Sequence, residues 1–282
     1  MTAILLALLG AASYGVSDFI GGIFGKRASA WAVAATGGIG GAGAAFVLAL
    51  ANPGDPSTAD LAWGAAAGVG NGTGTAFLYR GLASGRMGVV APVSGVLAVV
   101  LPVVVGVATG ERPGPLVWLG IVAAVPAIWL VAREPRADDA GDAAEPIGSG
   151  ARDGVLAGIG FGALFTCLGQ VPDGAGFWPL VLNQLVGIVV VAIAASFLGA
   201  TWVPRHAAAW GGLLAGVLGG LATASFLLAT HHGLLSVSAV LTSLYPAFTV
   251  LLAAIVLREH VHRLQAWGLL LCGAAVALVA MG

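Results

Sequence analysis

Residues 133–154, REPRADDAGDAAEPIGSGARDG, form the one long charged stretch, interrupted by Pro and Gly, in a chain of 282 residues. A segment of this composition has no apolar surface to bury and reads as a linker. It cuts the chain nearly in half. On either side the composition is the reverse: the whole chain is 59% hydrophobic and 8% charged, with a mean hydropathy of +1.01. A soluble domain carries roughly a quarter charged residues, so the exterior here must face hydrocarbon. A formal net charge of -1 gives no reason to expect a nucleic-acid partner, which would need a clustered basic surface. Cys167 and Cys272 lie in separate apolar runs without metal or redox spacing and read as small buried residues.

About 20 apolar residues span the hydrocarbon layer as a helix. The chain divides into ten such stretches, at residues 3–24, 31–50, 61–83, 87–109, 115–132, 153–171, 177–198, 208–230, 234–257 and 263–281. The first is too long for a signal peptide, lacks a basic leading region and contains Asp18, so it reads as a span. The expected division is residues 1–132 as a first five-helix repeat, 133–152 as a polar linker and 153–282 as a second repeat. A gapless shift of 148 residues supports it: Gly64, Gly68 and Gly72 fall on Gly212, Gly216 and Gly220, Gly85 on Gly233, Ala91 on Ala239, Glu111 on Glu259, Leu116 on Leu264 and Gly120 on Gly268. Five spans per half is an odd number, so the second half enters from the opposite face. The fold class is therefore an all-α membrane protein with ten transmembrane helices arranged as two inverted five-helix repeats, an architecture recurrent in secondary transporters.

The stretches LLGAASYGVSDFIGGIFGKR, APVSGVLAVVLPVVVGVATGER and VSAVLTSLYPAFTVLLAAIVLREHV resemble the paired modules of EamA-type transporters of the drug/metabolite transporter superfamily. The most specific elements are Glu111 with Gly120 and Glu259 with Gly268 at matched spacing after an apolar helix. The resemblance implies ten helices, a central cavity and movement of a small metabolite across the cell membrane, and it names no particular metabolite. Basic residues concentrate in the odd-numbered connections, which by the positive-inside rule places both termini outside; the orientation usual in the resembled superfamily is the opposite.

The candidate site follows from polar residues within spans. Tyr14 and Asp18 share one face of the first helix, being four residues apart. Asn71, Thr75, Ser94, Asn183, Gln184, Ser225, Thr242 and Tyr245 add amides, hydroxyls and an aromatic ring near mid-span. Arg80 is the expected partner of Asp18, either as a fixed ion pair or as part of a gate, because an intramembrane charge is costly when alone. For each Ser or Thr the plainer alternative is a bond back to its own helix. The Gly64–Gly68–Gly72 and Gly212–Gly216–Gly220 ladders read as close-packing faces. Pro92, Pro102 and Pro246 mark the fourth and ninth spans as candidate moving helices. His231 and His232 lie on the face opposite His260 and His262, so together they make no metal site. Glu111 and Glu259 likewise lie at opposite faces and read as helix-end residues or paired gate acids.

The leading functional expectation is a secondary transporter, an exporter or facilitator, that moves a small polar or amphipathic solute of amino-acid-like type by alternating access. Its expected partners are the small-molecule substrate, the lipid bilayer and, under coupling to an ion gradient, protons; the sequence leaves the oligomeric state open and is compatible with a monomer. The alternative is an ion or small-solute channel, which the partial symmetry of the polar set leaves open: Thr75 meets Thr223 and Ser94 meets Thr242, but Asn71 meets Gly219. No phosphate-binding loop, cofactor motif or clustered acid–base set is present, so an enzyme is not expected.

Overall fold

The computed structural model describes residues 1–83, 87–132, 147–258 and 260–282, the side chains of residues 79, 82, 83, 87–89 and 147–150 apart. Among the described residues every regular element is helical: α1 Thr2–Gly25, α2 Ala30–Ala51, α3 Thr58–Ala83, α4 Met87–Ala108, α5 Pro115–Ala132, α6 Ile147–Leu168, α7 Trp178–Phe197, α8 Gly212–His232, α9 Leu235–Thr242, α10 Tyr245–Val256 and α11 Arg263–Met281, with short 3₁₀ turns at Asp173–Ala175 and Ala207–Gly211. Helices α9 and α10 are two halves of one crossing, so the described residues make ten crossings. Glu259 and Gly85, two of the repeat positions, lie outside the described residues.

Among the described residues nine crossings are long and apolar enough to span a membrane. The tenth, α3, has 26 residues, about 39 Å at 1.5 Å per residue. Its Gly, Thr and Asn content lowers its hydropathy, and it packs against α6 and α7, where small residues permit close approach. The break between α9 and α10 falls at Ser243–Leu244, just before Pro246, which has no N–H to continue the ladder. Leu244 N–H donates to Leu241 C=O at 3.2 Å and Ala247 N–H to Leu244 C=O at 3.0 Å, so tighter three-residue bonds close the gap. Pro92 and Pro102, by contrast, sit inside an unbroken α4. Helix α6 begins at Ile147, ahead of the apolar stretch read from residue 153. A helix can extend beyond hydrocarbon, and hydropathy marks the apolar layer, not the end of the backbone ladder.

The packing pattern maps onto itself when the halves are exchanged. Helix α3 lies on α6 and α7, and its counterpart α8 lies on α1 and α2; α4 lies on α6 as α9 and α10 lie on α1; α2 with α7 and α5 with α11 pair directly. The small-residue ladders explain the closest pairs. A Cβ on Gly68 would lie 2.6 Å from Asn183 O of α7, a Cβ on Gly220 2.9 Å from Gly41 O of α2, and one on Gly216 would collide with Gly37 O. Only glycine admits these backbones. The halves are therefore interleaved: α1, α2, α8, α9 and α10 form one bundle, α3, α4, α6 and α7 the other, and α5 and α11 pair at the flank.

Both termini and the start of α9 share one face, here the terminal face. There a Cβ on Gly233 would lie 2.7 Å from Ala3 Cβ and one on Gly282 2.9 Å from Leu116 Cβ. On the opposite face, here the linker face, α5 ends and α6 begins.

Candidate functional site

Tyr14, on α1, is the hub of the mid-membrane layer. Its ring centroid lies 6.0 Å from that of Tyr245 on α10, and 6.4 Å edge-on from Phe165 on α6, which in turn lies 4.6 Å from Phe226 on α8. The Tyr14 hydroxyl lies 2.8 Å from Thr223 Oγ1, and Thr223 Oγ1 donates to Gly219 O at 2.7 Å. Because that bond uses the threonine proton, the Tyr14 O–H is the donor to Thr223. The phenol oxygen of Tyr14 keeps free lone pairs.

Asp18 sits one turn toward the linker face. Ser17 Oγ, its neighbour, donates to Ala215 O of α8 at 2.7 Å, and a Cβ on Gly15 would lie 2.9 Å from Tyr245 O, where α10 passes. Asp18 projects between these two contacts, toward the interior. Leu9, nine residues earlier and so on the opposite face at about 100° per residue, is 54% exposed and looks toward lipid. Asp18 is exposed, on the face of α1 that carries Tyr14 and away from the lipid-facing side marked by Leu9. A Cβ on Gly22 or Gly25, further along the same helix, would meet nothing within 4 Å.

Asp18 does not pair with Arg80, contrary to the expectation from depth alone. The Arg80 guanidinium is bound by Asp153, with Nε donating to Oδ1 at 3.0 Å and Nη2 to the same oxygen, and it lies 4.6 Å from the Phe77 ring centroid. The reason is topological: α6 packs along α3, while α1 packs on α8, α9 and α10. Asp153 lies at the boundary of the charged linker stretch, and hydropathy gave no sign that it would be buried beside α3. Among the described residues Asp18 has neither hydrogen-bond nor ion-pair partner.

The remaining expected positions distribute as follows. Asn71 Nδ2 points at Gln184 Oε1 of α7, at 3.5 Å, and Gln184 also lies against Gly41 of α2. Asn183 is fully buried with neither amide atom partnered. Ser94 Oγ donates to Ala91 O at 3.0 Å and Ser225 Oγ to Leu221 O at 2.9 Å, each within its own helix. Thr242 Oγ1 reaches Ala7 O of α1 at 3.3 Å. Thr75 is half-buried on α3. The structure thus brings Tyr14, Asp18 and Tyr245 together, with Thr223 and Phe165, and places Asn71 and Gln184 at the contact of α3 with α7. An apolar hollow of about 600 Å³ on the flank of α7, bounded by Ile193, Phe197 and Trp202, contains none of these residues.

At the terminal face Glu111, in the connection after α4, caps α9. Its carboxylate accepts from Leu235 N–H and, at 3.1 Å, from Ser236 N–H, while its own N–H donates to Gly106 O at 2.9 Å. A carboxylate at a helix N-terminus satisfies orphan donors and meets the positive end of the dipole. This acid of one repeat thereby holds a helix of the other. Helix α4 lies against α9 on this side, and no comparable packing joins α4 to α10 toward the linker face among the described residues. The crossing helices meet at the terminal face and diverge beyond the midplane.

Ten crossings among the described residues, in two interleaved, inverted repeats around a polar midplane layer, define a multi-pass membrane protein with the inverted-repeat layout recurrent among transporters. The EamA-like transporter family model matches residues 1–133 and 150–281, and the chain belongs to that family. Its members are membrane transporters, not enzymes. Among solved structures, one described only as the crystal structure of a protein aligns with a TM-score of 0.72 at 16% identity, over 99% of this chain and 96% of that one; at this identity the likeness is one of fold. No curated protein matches the chain in sequence.

Proposed function

We propose that the chain carries a small polar or amphipathic solute across the membrane by alternating access, with the layer of Tyr14, Asp18, Thr223 and Tyr245 as its binding site. The repeats 1–132 and 153–282, joined by residues 133–152, supply one half of each moving bundle. The observation that carries this reading is the asymmetry of a near-symmetric molecule: α4 meets α9 at the terminal face under the Glu111 cap and parts from α10 toward the linker face, where Asp18 is exposed.

A second observation supports a closed half that opens. Thr166, Asn183, Ser236, Ser238 and Ser243 are buried with side-chain atoms lacking hydrogen-bond partners, and all lie between the midplane and the terminal face. Each such atom costs about 1–3 kcal/mol when dry, a cost relieved when water enters from that face. A channel would need this seam wet while the linker side is open, so the buried seam favours a carrier.

Counterflow tests the choice. In proteoliposomes preloaded with an unlabelled solute from a panel of amino acids, amines and sugars, external labelled solute accumulates transiently above equilibrium if a carrier reorients with its load. Simple equilibration with every solute that passes would identify a channel.

A further inference from the structure

We propose that the solute accepted beside Asp18 is an organic monocation, an amine or guanidine with an apolar or aromatic body, and not an anion or a zwitterion. This deepens the transporter reading and rests on it for transport, while the binding claim stands on the side chains grouped around Asp18 and Tyr14.

The layer is a set of hydrogen-bond acceptors without a cation. Asp18 contributes a partnerless carboxylate, and Tyr14 contributes a phenol oxygen whose proton is already given to Thr223 at 2.8 Å. The Tyr245 hydroxyl one helix away has no partner among the described residues. An ammonium group has donors to offer such a set and no need of an acceptor. The ring of Tyr14 lies 6.0 Å from that of Tyr245 and 6.4 Å from that of Phe165, so three aromatic rings gather one turn from Asp18. An aromatic wall beside a carboxylate favours a cation with an apolar body.

The basic groups are elsewhere. Among the described residues, Lys26, Arg27, Arg112, Arg152, Arg205, Arg258 and Arg263 lie at helix ends or in connections, as do the histidines, and Arg80, the one arginine that reaches inward, is held by Asp153. From α8 the groups facing this part of α1 are Ala215, Gly219 and Thr223, and from α10 they are Tyr245, Phe248 and Thr249; none carries charge. An anion entering would meet one like charge and no opposite one in a site of low dielectric. The carboxylate of an amino acid would find no partner. One carboxylate also sets the charge of the guest at one.

The test uses the full chain in lipid nanodiscs with four matched probes: 2-phenylethylamine, 2-phenylethanol, phenylalanine and 3-phenylpropionate. Saturable binding of the amine is expected, tighter than that of the alcohol or phenylalanine by about tenfold or more, with no binding of the carboxylate. Asp18→Asn reduces amine binding on the order of tenfold and abolishes the preference for the amine over the alcohol, and Asp18→Glu retains that preference. Melting temperature is followed for each variant, so loss of fold is separated from loss of binding. Equal binding of phenylalanine or phenylpropionate, amine binding indifferent to Asp18→Asn, or no saturable amine binding overturns the proposal. Counterflow with the same probes separates the two readings. Binding of the amine without counterflow sinks the carrier and keeps the cation site, whereas counterflow of phenylalanine independent of Asp18 does the opposite.

Discussion

Asp18 and Asp153 are both aspartates facing protein interior, and they differ in what stands opposite. Asp153 shields its charge against Arg80, whose side chain remains 39% exposed, so the pair contributes modestly, about 1 kcal/mol. Asp153→Asn is expected to lower the melting temperature by a few degrees, and the exchange Asp153→Arg with Arg80→Asp to restore it. Asp18→Asn removes a charge that has no partner, and thermal unfolding in nanodiscs should show the melting temperature unchanged or raised. A loss comparable to that of Asp153→Asn would mean that Asp18 is held by a contact absent from this conformation. Tyr14→Phe removes the bond to Thr223 and should cost about 1 kcal/mol in the same assay. That Asp18 and Tyr14 lie on one face of α1 was legible in the sequence, because groups four residues apart within a helix share a face. The partner of Arg80 was not, because depth along parallel helices says nothing of which helix intervenes, and here α6 does.

At the scale of elements, the caps and close approaches decide. Glu111 presents its carboxylate to two backbone N–H groups of α9, at Leu235 and Ser236. Glu111→Ala leaves both without an acceptor and should destabilise the closed terminal face by about 1–3 kcal/mol, with Glu111→Gln intermediate. The readout is maleimide labelling of Ser236→Cys, which should quicken in Glu111→Ala and remain slow in the parent; equal rates would remove Glu111 from the closure. Glycine substitutions discriminate contact from free space. Gly216→Ala should abolish or strongly reduce folded protein because Gly37 O occupies the place of a Cβ, while Gly273→Ala on α11, where nothing lies within 4 Å, should be silent. Fluorescence-detected size exclusion measures both. The glycine ladders could be read from their four-residue spacing, and the α9–α10 break from Pro246. The cap could not, since its acceptor and donors are separated by 124 and 125 residues and the donors are backbone atoms that leave no mark on the sequence.

For the whole molecule, the repeat explains both the symmetry of packing and its breaking. The constant 148-residue shift was visible along the chain, and the odd number of crossings implied inversion. What the shift could not convey is that each bundle takes helices from both halves, so that the bodies that would rock under the proposed mechanism are α1, α2, α8, α9 and α10 against α3, α4, α6 and α7. Interleaving arises because the small-residue faces of α3 and α8 find their closest partners in the other half or across it. The most direct test of the central claim, a site open to one face at a time, is reciprocal labelling. In a background with Cys167 and Cys272 replaced by alanine, Gly22→Cys and Ser236→Cys are labelled by a membrane-impermeant maleimide from each face in turn, with and without a transported amine. The account predicts that Gly22→Cys reacts only from the linker face and Ser236→Cys only from the terminal face, and that conditions which quicken one slow the other. Simultaneous quickening of both would contradict it.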